Sequence, residues 1–129
     1  ELTLRSLLRR QGFRFRLHCR ELPGRPDIVF PRHKAVVFVH GCFWHGHTCR
    51  YFRWPASRPE FWRTKIGRNQ FNDAAALDAL QQMGWRVAVV WECAMRGKSV
   101  QDVNDLGAAV GAWLASSDAV SLVLPVELS

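Results

Sequence analysis

A chain of 129 residues, 48% of them hydrophobic, is long enough for one domain with a sizeable core and too apolar to stay disordered. Eighteen Lys and Arg against eleven Asp and Glu leave a net charge of +7, which favours a polyanionic partner, nucleic acid first, over a merely basic solvated surface. No apolar run reaches the length of a membrane span, residues 1–12 read as a basic helix rather than a secretory signal, and the four cysteines fit a reducing cytoplasm better than a disulfide scaffold.

Leu4, Leu7 and Leu8 put an apolar stripe on a helix over residues 1–11, which Gly12 ends. From Phe13 to Cys19 the pattern alternates. Phe13, Phe15, Leu17 and Cys19 fall on one face and Arg14, Arg16 and His18 on the other, as in a half-buried strand. Cys19 is expected in the core. Leu22-Pro23-Gly24-Arg25-Pro26 must turn. Asp27 opens a short strand through Phe30, residues 31–34 turn again, and Ala35 to Val39 is a continuous apolar run that reads as a central strand.

The stretch from His40 to Cys49 holds three of the five histidines and two of the four cysteines. Thiolates and imidazoles at this density are the ligands zinc prefers. Cys42, Cys49 and a histidine supply part of a tetrahedral set, and Cys93, in Trp91-Glu92-Cys93, is the distant fourth. Spacing does not choose among His40, His45 and His47. The competing explanation, buried free cysteines with surface histidines, is weaker for so tight a cluster. Gly41 and Gly46 suggest a loop that turns sharply. Phe43 and Trp44 point in different directions, so at least one is expected on the surface, where it can stack on bases or wedge between them.

A loop rich in Arg, Trp and Pro follows. Ser57, Pro59 and Glu60 match a capping box with proline in the first turn, so a helix is expected from there to Met83, with a break at Gly67 left open. Its buried stripe would be Ala74, Leu77, Leu80 and Met83. Trp54 and Trp62 sit among Arg50, Arg53, Arg58, Arg63, Lys65 and Arg68; for Trp62, core packing and DNA contact weigh equally. Trp85 to Trp91 is a buried strand that delivers Glu92 and Cys93. Val103, Leu106, Val110 and Leu114 mark a last helix, weakened by Gly107 and Gly111. Val120 to Val126 is an edge strand. The order predicts a compact α/β domain on a mixed sheet, with Asp27, the ligand stretch and Glu92 converging at one rim.

Asp27 offers a hard carboxylate oxygen for Mg²⁺, the ion of phosphoryl chemistry, although a lone Asp before a strand is more often a turn cap. A histidine beyond the zinc set could act as general base.

LPGRPD, VFVHGCFWHGHTC, EFWRTKIGRN and GWRVAVVWEC, in this order over residues 1–97, resemble the very short patch repair (Vsr) endonucleases. The resemblance implies a restriction-endonuclease-like α/β fold over a single domain, 1–129, with a structural Zn²⁺. It also implies a Mg²⁺-dependent nick 5′ of the thymine in a T·G mismatch. By motif, Asp27 and the backbone carbonyl of Val39, where the family often has threonine, would bind Mg²⁺. His45 would be the catalytic histidine and Asp73 its orienting carboxylate, with Glu1 supporting the metal site through water. Cys42, His47, Cys49 and Cys93 would bind zinc. Phe43, Trp44 and Trp62 would intercalate beside the mismatch, near Lys65 and Asn69. The family's usual partners imply double-stranded DNA as substrate, repair proteins of the MutL type, a monomeric enzyme and a bacterial cytoplasmic, nucleoid-associated location. The family's N-terminal arm, which also grips DNA, is expected to be missing from this chain. The common nuclease pattern of carboxylate-x-Lys is replaced by Phe38-Val39-His40, a departure that a histidine base would explain. The alternatives are a restriction-type or transposon-associated nuclease without mismatch preference, and a non-catalytic zinc-stabilised DNA-binding module.

Overall fold

The computed structural model of the protein describes residues 1–116 and 118–125. Helix α1 (Leu2–Arg10) leads to strands β1 (Arg16–Leu17), β2 (Ile28–Phe30) and β3 (Ala35–His40). Helix α2 (Pro59–Gln82), strand β4 (Arg86–Trp91), helix α3 (Val100–Ser116) and strand β5 (Ser121–Leu124) complete the chain. The sheet runs β1-β2-β3-β4-β5, so β5 is at an edge as expected; Val126, the far end of that expected strand, lies outside the described residues. β1, β2 and β3 are antiparallel neighbours, whereas β3, β4 and β5 are parallel.

Strand alternation divides the core. Ile28, Phe30, Val37, Ala88 and Val90 face α1 and α3, packing with Leu4, Leu8, Val110, Trp113 and Leu114. Val29, Val36, Phe38 and Val87 face α2 and meet Leu80. Both faces of β3 are covered, which is why its sequence is apolar without interruption. Each fully buried side chain of this size contributes about 1.5–3 kcal/mol.

Several local expectations are corrected. β1 is two residues long, at the edge of the sheet, and Leu17 is exposed. Helix α2 passes through Gly67 unbroken: a Cβ there would meet nothing within 4 Å, so the glycine lies on open surface and costs only propensity. No capping box forms. Arg58 is the N-cap, at φ +54° and without a side-chain cap bond, and its guanidinium lies 4.3 Å from the Phe61 ring centroid. Met83 and Ala74 are exposed; the buried residues of α2 are Ile66, Ala76 and Leu80. Gly107 and Gly111 do not interrupt α3, which runs unbroken from Val100 to Ser116. They are where α1 presses closest, since a Cβ at Gly107 would meet Leu7 and one at Gly111 would meet Gln11.

The topology also decides where the chemistry gathers. Because β2 runs against β3, the start of β2 lies at the same rim as the end of β3. Because β4 runs with β3, its end lies there too.

Candidate active site and metal centre

Three groups of side chains gather at that rim, and in each the donor atoms lie within 4.8 Å of one another: Cys42, His47, Cys49 and Cys93; His40, His45 and Asp73; and Glu1, His18 and Asp27.

The first is built by the loop after β3. His47 N–H donates to the Cys42 carbonyl at 2.9 Å, closing a tight turn. Gly46, at φ +65°, lets the loop lie against Ile66 and Gln70 of α2, where any Cβ would collide. Cys93 arrives from the end of β4, with its Sγ 3.5 Å from His47 Nδ1, and the His47 ring stacks on Trp91 at 4.2 Å. Burial raises the Cys42 thiol, and burial together with the neighbouring thiols pushes Cys93 up to about 12. A cation in their midst would turn such thiols into thiolates. Three sulfurs and a nitrogen, converging and largely buried, can hold a metal ion.

The second group joins strand, loop and helix. His40 ends β3 on the α2 face, and its ring stacks on His45 at 3.9 Å. His45 Nδ1 is hydrogen-bonded to Asp73 of α2. Burial, then the neighbouring His45, lowers His40 from 6.5 to about 4, with Asp73 opposing. These three residues open onto a cleft of about 1090 Å³ that also touches Phe38, Leu77 and Cys93.

In the third group Asp27 lies at the mouth of β2. Its Oδ2 accepts the Val39 N–H at 2.7 Å, which ties the carboxylate to the strand one residue before His40. Burial raises the Asp27 carboxyl above its ordinary value; the Val39 N–H opposes this and the Glu1 carboxylate adds to it. A half-buried carboxylate beside a second one is a site a cation would stabilise.

The aromatic residues cover the outer side of the loop. Phe43 packs against Trp44 at 5.2 Å and against Trp62 at 5.3 Å, and Trp44 is 50% exposed. Asn69 holds the loop to α2 by donating from Nδ2 to the Trp44 carbonyl at 2.7 Å, and Lys65 is exposed on the same helix. Glu92, expected at the rim, joins none of the three groups and pairs with Arg96 at 3.8 Å. Cys19 packs partly into the core and donates to Glu21.

Two residues of these groups escape the sequence reading. His40 enters it only as a zinc candidate, although the alternation Val36, Phe38, His40 already assigns it to the α2 face with His45. His18 enters it only as part of a basic face; the pairing of Leu17 with Ile28 is what brings it beside Asp27.

Known proteins resemble this chain over most of its length. The family model described as DNA mismatch endonuclease Vsr matches residues 1–51. The chain is 45% identical over 119 residues to the DNA mismatch endonuclease Vsr of Escherichia coli, covering 92% of this chain and 76% of that protein. It is 52% identical over 108 residues to the type II nicking enzyme V.XorIIP of Xanthomonas oryzae, with 84% and 74% covered. It is 42% identical over 100 residues to the type II nicking enzyme V.NmeAIP of Neisseria meningitidis, with 78% and 71% covered. The chain belongs to the Vsr family of DNA endonucleases.

Proposed function

We propose that this endonuclease nicks one strand of duplex DNA 5′ of the thymine of a T·G mismatch, in a Mg²⁺-dependent reaction of very short patch repair. One observation carries the reading: a single loop presents the imidazole of the His45–Asp73 pair and, beside it, the exposed Trp44 with Phe43. On this reading residues 1–129 are one restriction-endonuclease-like domain acting as a monomer.

Asp27 and the Val39 carbonyl would hold Mg²⁺, with Glu1 alongside; when bound, the ion offsets the charge that builds on the scissile phosphate. His45 is the base. Asp73 accepts from Nδ1, which leaves Nε2 to take the proton of the attacking water. His40, stacked on His45, keeps its ring from turning. Cys42, His47, Cys49 and Cys93 suit Zn²⁺, the ion of mixed thiolate and imidazole sets, and pinning them fixes the loop that carries His45. Phe43, Trp44 and Trp62 form the wedge. A mispaired step costs less to unstack than a matched one, so an inserted ring turns weak pairing into selectivity. Lys65 lies near the mismatch with its charge free for phosphate or base, and Asn69 positions the Trp44 backbone.

The second reading is a nick at a specific sequence without mismatch preference, which the names of the nicking-enzyme relatives favour. Nicking of otherwise identical T·G and T·A duplexes in Mg²⁺ separates the two. Preference for T·G supports the first, and equal cutting of both supports the second.

A further inference from the structure

The rim has a nitrogen donor that the reading above leaves unused. His18 follows β1, and its backbone N–H donates to the Asp27 carbonyl at 3.0 Å. It is held at φ +49°, in the left-handed region. That turn brings the imidazole back over the start of β2. Nε2 lies 3.4 Å from Glu1 Oε2, and Nδ1 lies 4.0 Å from Asp27 Oδ1. Thus one ring nitrogen addresses each carboxylate, and the three residues offer donor atoms within 4.8 Å of one another.

The donor chemistry says what such a site would take. Two carboxylates alone suit Mg²⁺, which keeps an oxygen shell. An imidazole added to them suits a borderline cation, because nitrogen ligands raise affinity along the first-row series. We propose that His18 is a direct ligand of the catalytic-site metal, and that it makes the Glu1–His18–Asp27 group a Mn²⁺-preferring site. This rests on the reading of Asp27 as a metal-binding residue.

The test is direct Mn²⁺ and Mg²⁺ binding to the whole chain with the Cys/His cluster loaded with zinc, read by calorimetry, together with pulsed electron paramagnetic resonance of the Mn²⁺ complex. Wild-type protein should bind Mn²⁺ more tightly than Mg²⁺ and show nitrogen coupling to the Mn²⁺. His18→Gln should abolish the coupling and weaken Mn²⁺ at least about tenfold, the scale on which even an outer partner of a ligand matters, while Mg²⁺ affinity stays within about twofold. Asp27→Asn should lose both ions, and the fold of each variant is checked by circular dichroism. Nitrogen coupling that survives His18→Gln, unchanged Mn²⁺ affinity in that variant, or its absence in wild type would overturn the role of His18 while leaving Asp27 in place. Undiminished binding of both ions by Asp27→Asn would overturn the metal reading itself, and the proposal with it.

Discussion

His40 and His45 lie ring on ring, their centroids 3.9 Å apart and their planes 6° from parallel. His45 is tied to Asp73, whereas Nδ1 of His40 is buried without a hydrogen-bond partner among the described residues. Two imidazoles so close cannot both be charged cheaply in a half-buried place. Burial, with His45 beside it, keeps His40 neutral.

This predicts an acid-sensitive fold. His40 has a folded value of about 4 against an ordinary 6.5, so the unfolded chain binds its proton first. The neutral ring's contribution is fully present above pH 6.5 and is lost as pH falls towards 4. The loss approaches roughly 3 kcal/mol. His45 and Asp73 face the ring and stay in place in a His40→Gln variant. Denaturant unfolding from pH 7 to pH 4 should therefore show a flatter stability slope for His40→Gln than for wild type. Equal slopes would contradict the assignment.

Asp73→Asn should cut single-turnover nicking about 10²–10⁴-fold, the usual worth of a positioned general base. His45→Ala should cost as much, and the double variant little more, because the two residues act as a unit. The thermal midpoints should barely move. Nicking by Asp73→Asn within twofold of wild type would remove His45 from the role of base.

Stripping the Cys/His cluster should cost stability and nicking together, because the same loop carries His45. Chelation, or Cys93→Ala, should lower the thermal midpoint on the order of 10 °C or more, since metal-binding energy at such a cluster is folding energy. Asp27→Asn should separate the two, abolishing nicking while leaving the midpoint near or above wild type. Differential scanning fluorimetry with zinc analysis reads both. A Cys93→Ala midpoint equal to wild type and indifferent to chelator would mean that the cluster holds nothing.

The order of the elements and the split core were legible because strand alternation and apolar runs record which faces are covered. β3 reads as central from Ala35–Val39 alone, and the convergence at the rim follows from strand direction. Element ends were less legible. Arg58, rather than Ser57, starts α2, a choice made by a guanidinium stacking on Phe61 that no spacing reveals. Gly107 and Gly111 look like helix breakers in sequence but are contact points, since only the partner helix gives their missing side chains a purpose. In the site, local residues such as Cys42 and His47 declared themselves by density. Asp73 was named through motif resemblance, because 28 residues separate it from His45. His18 was passed over, because its significance lies across a strand pairing.

The central claim is that one metal-pinned loop couples the opening of a mispaired step to hydrolysis beside it. Single-turnover nicking of T·G and T·A duplexes by wild type and Trp44→Ala tests it most directly. The account predicts that Trp44→Ala loses rate on T·G by about 10-fold or more, the stacking energy of one ring, and falls towards its own rate on T·A, while its thermal midpoint is unchanged. A Trp44→Ala enzyme that keeps wild-type discrimination between the two duplexes would contradict it.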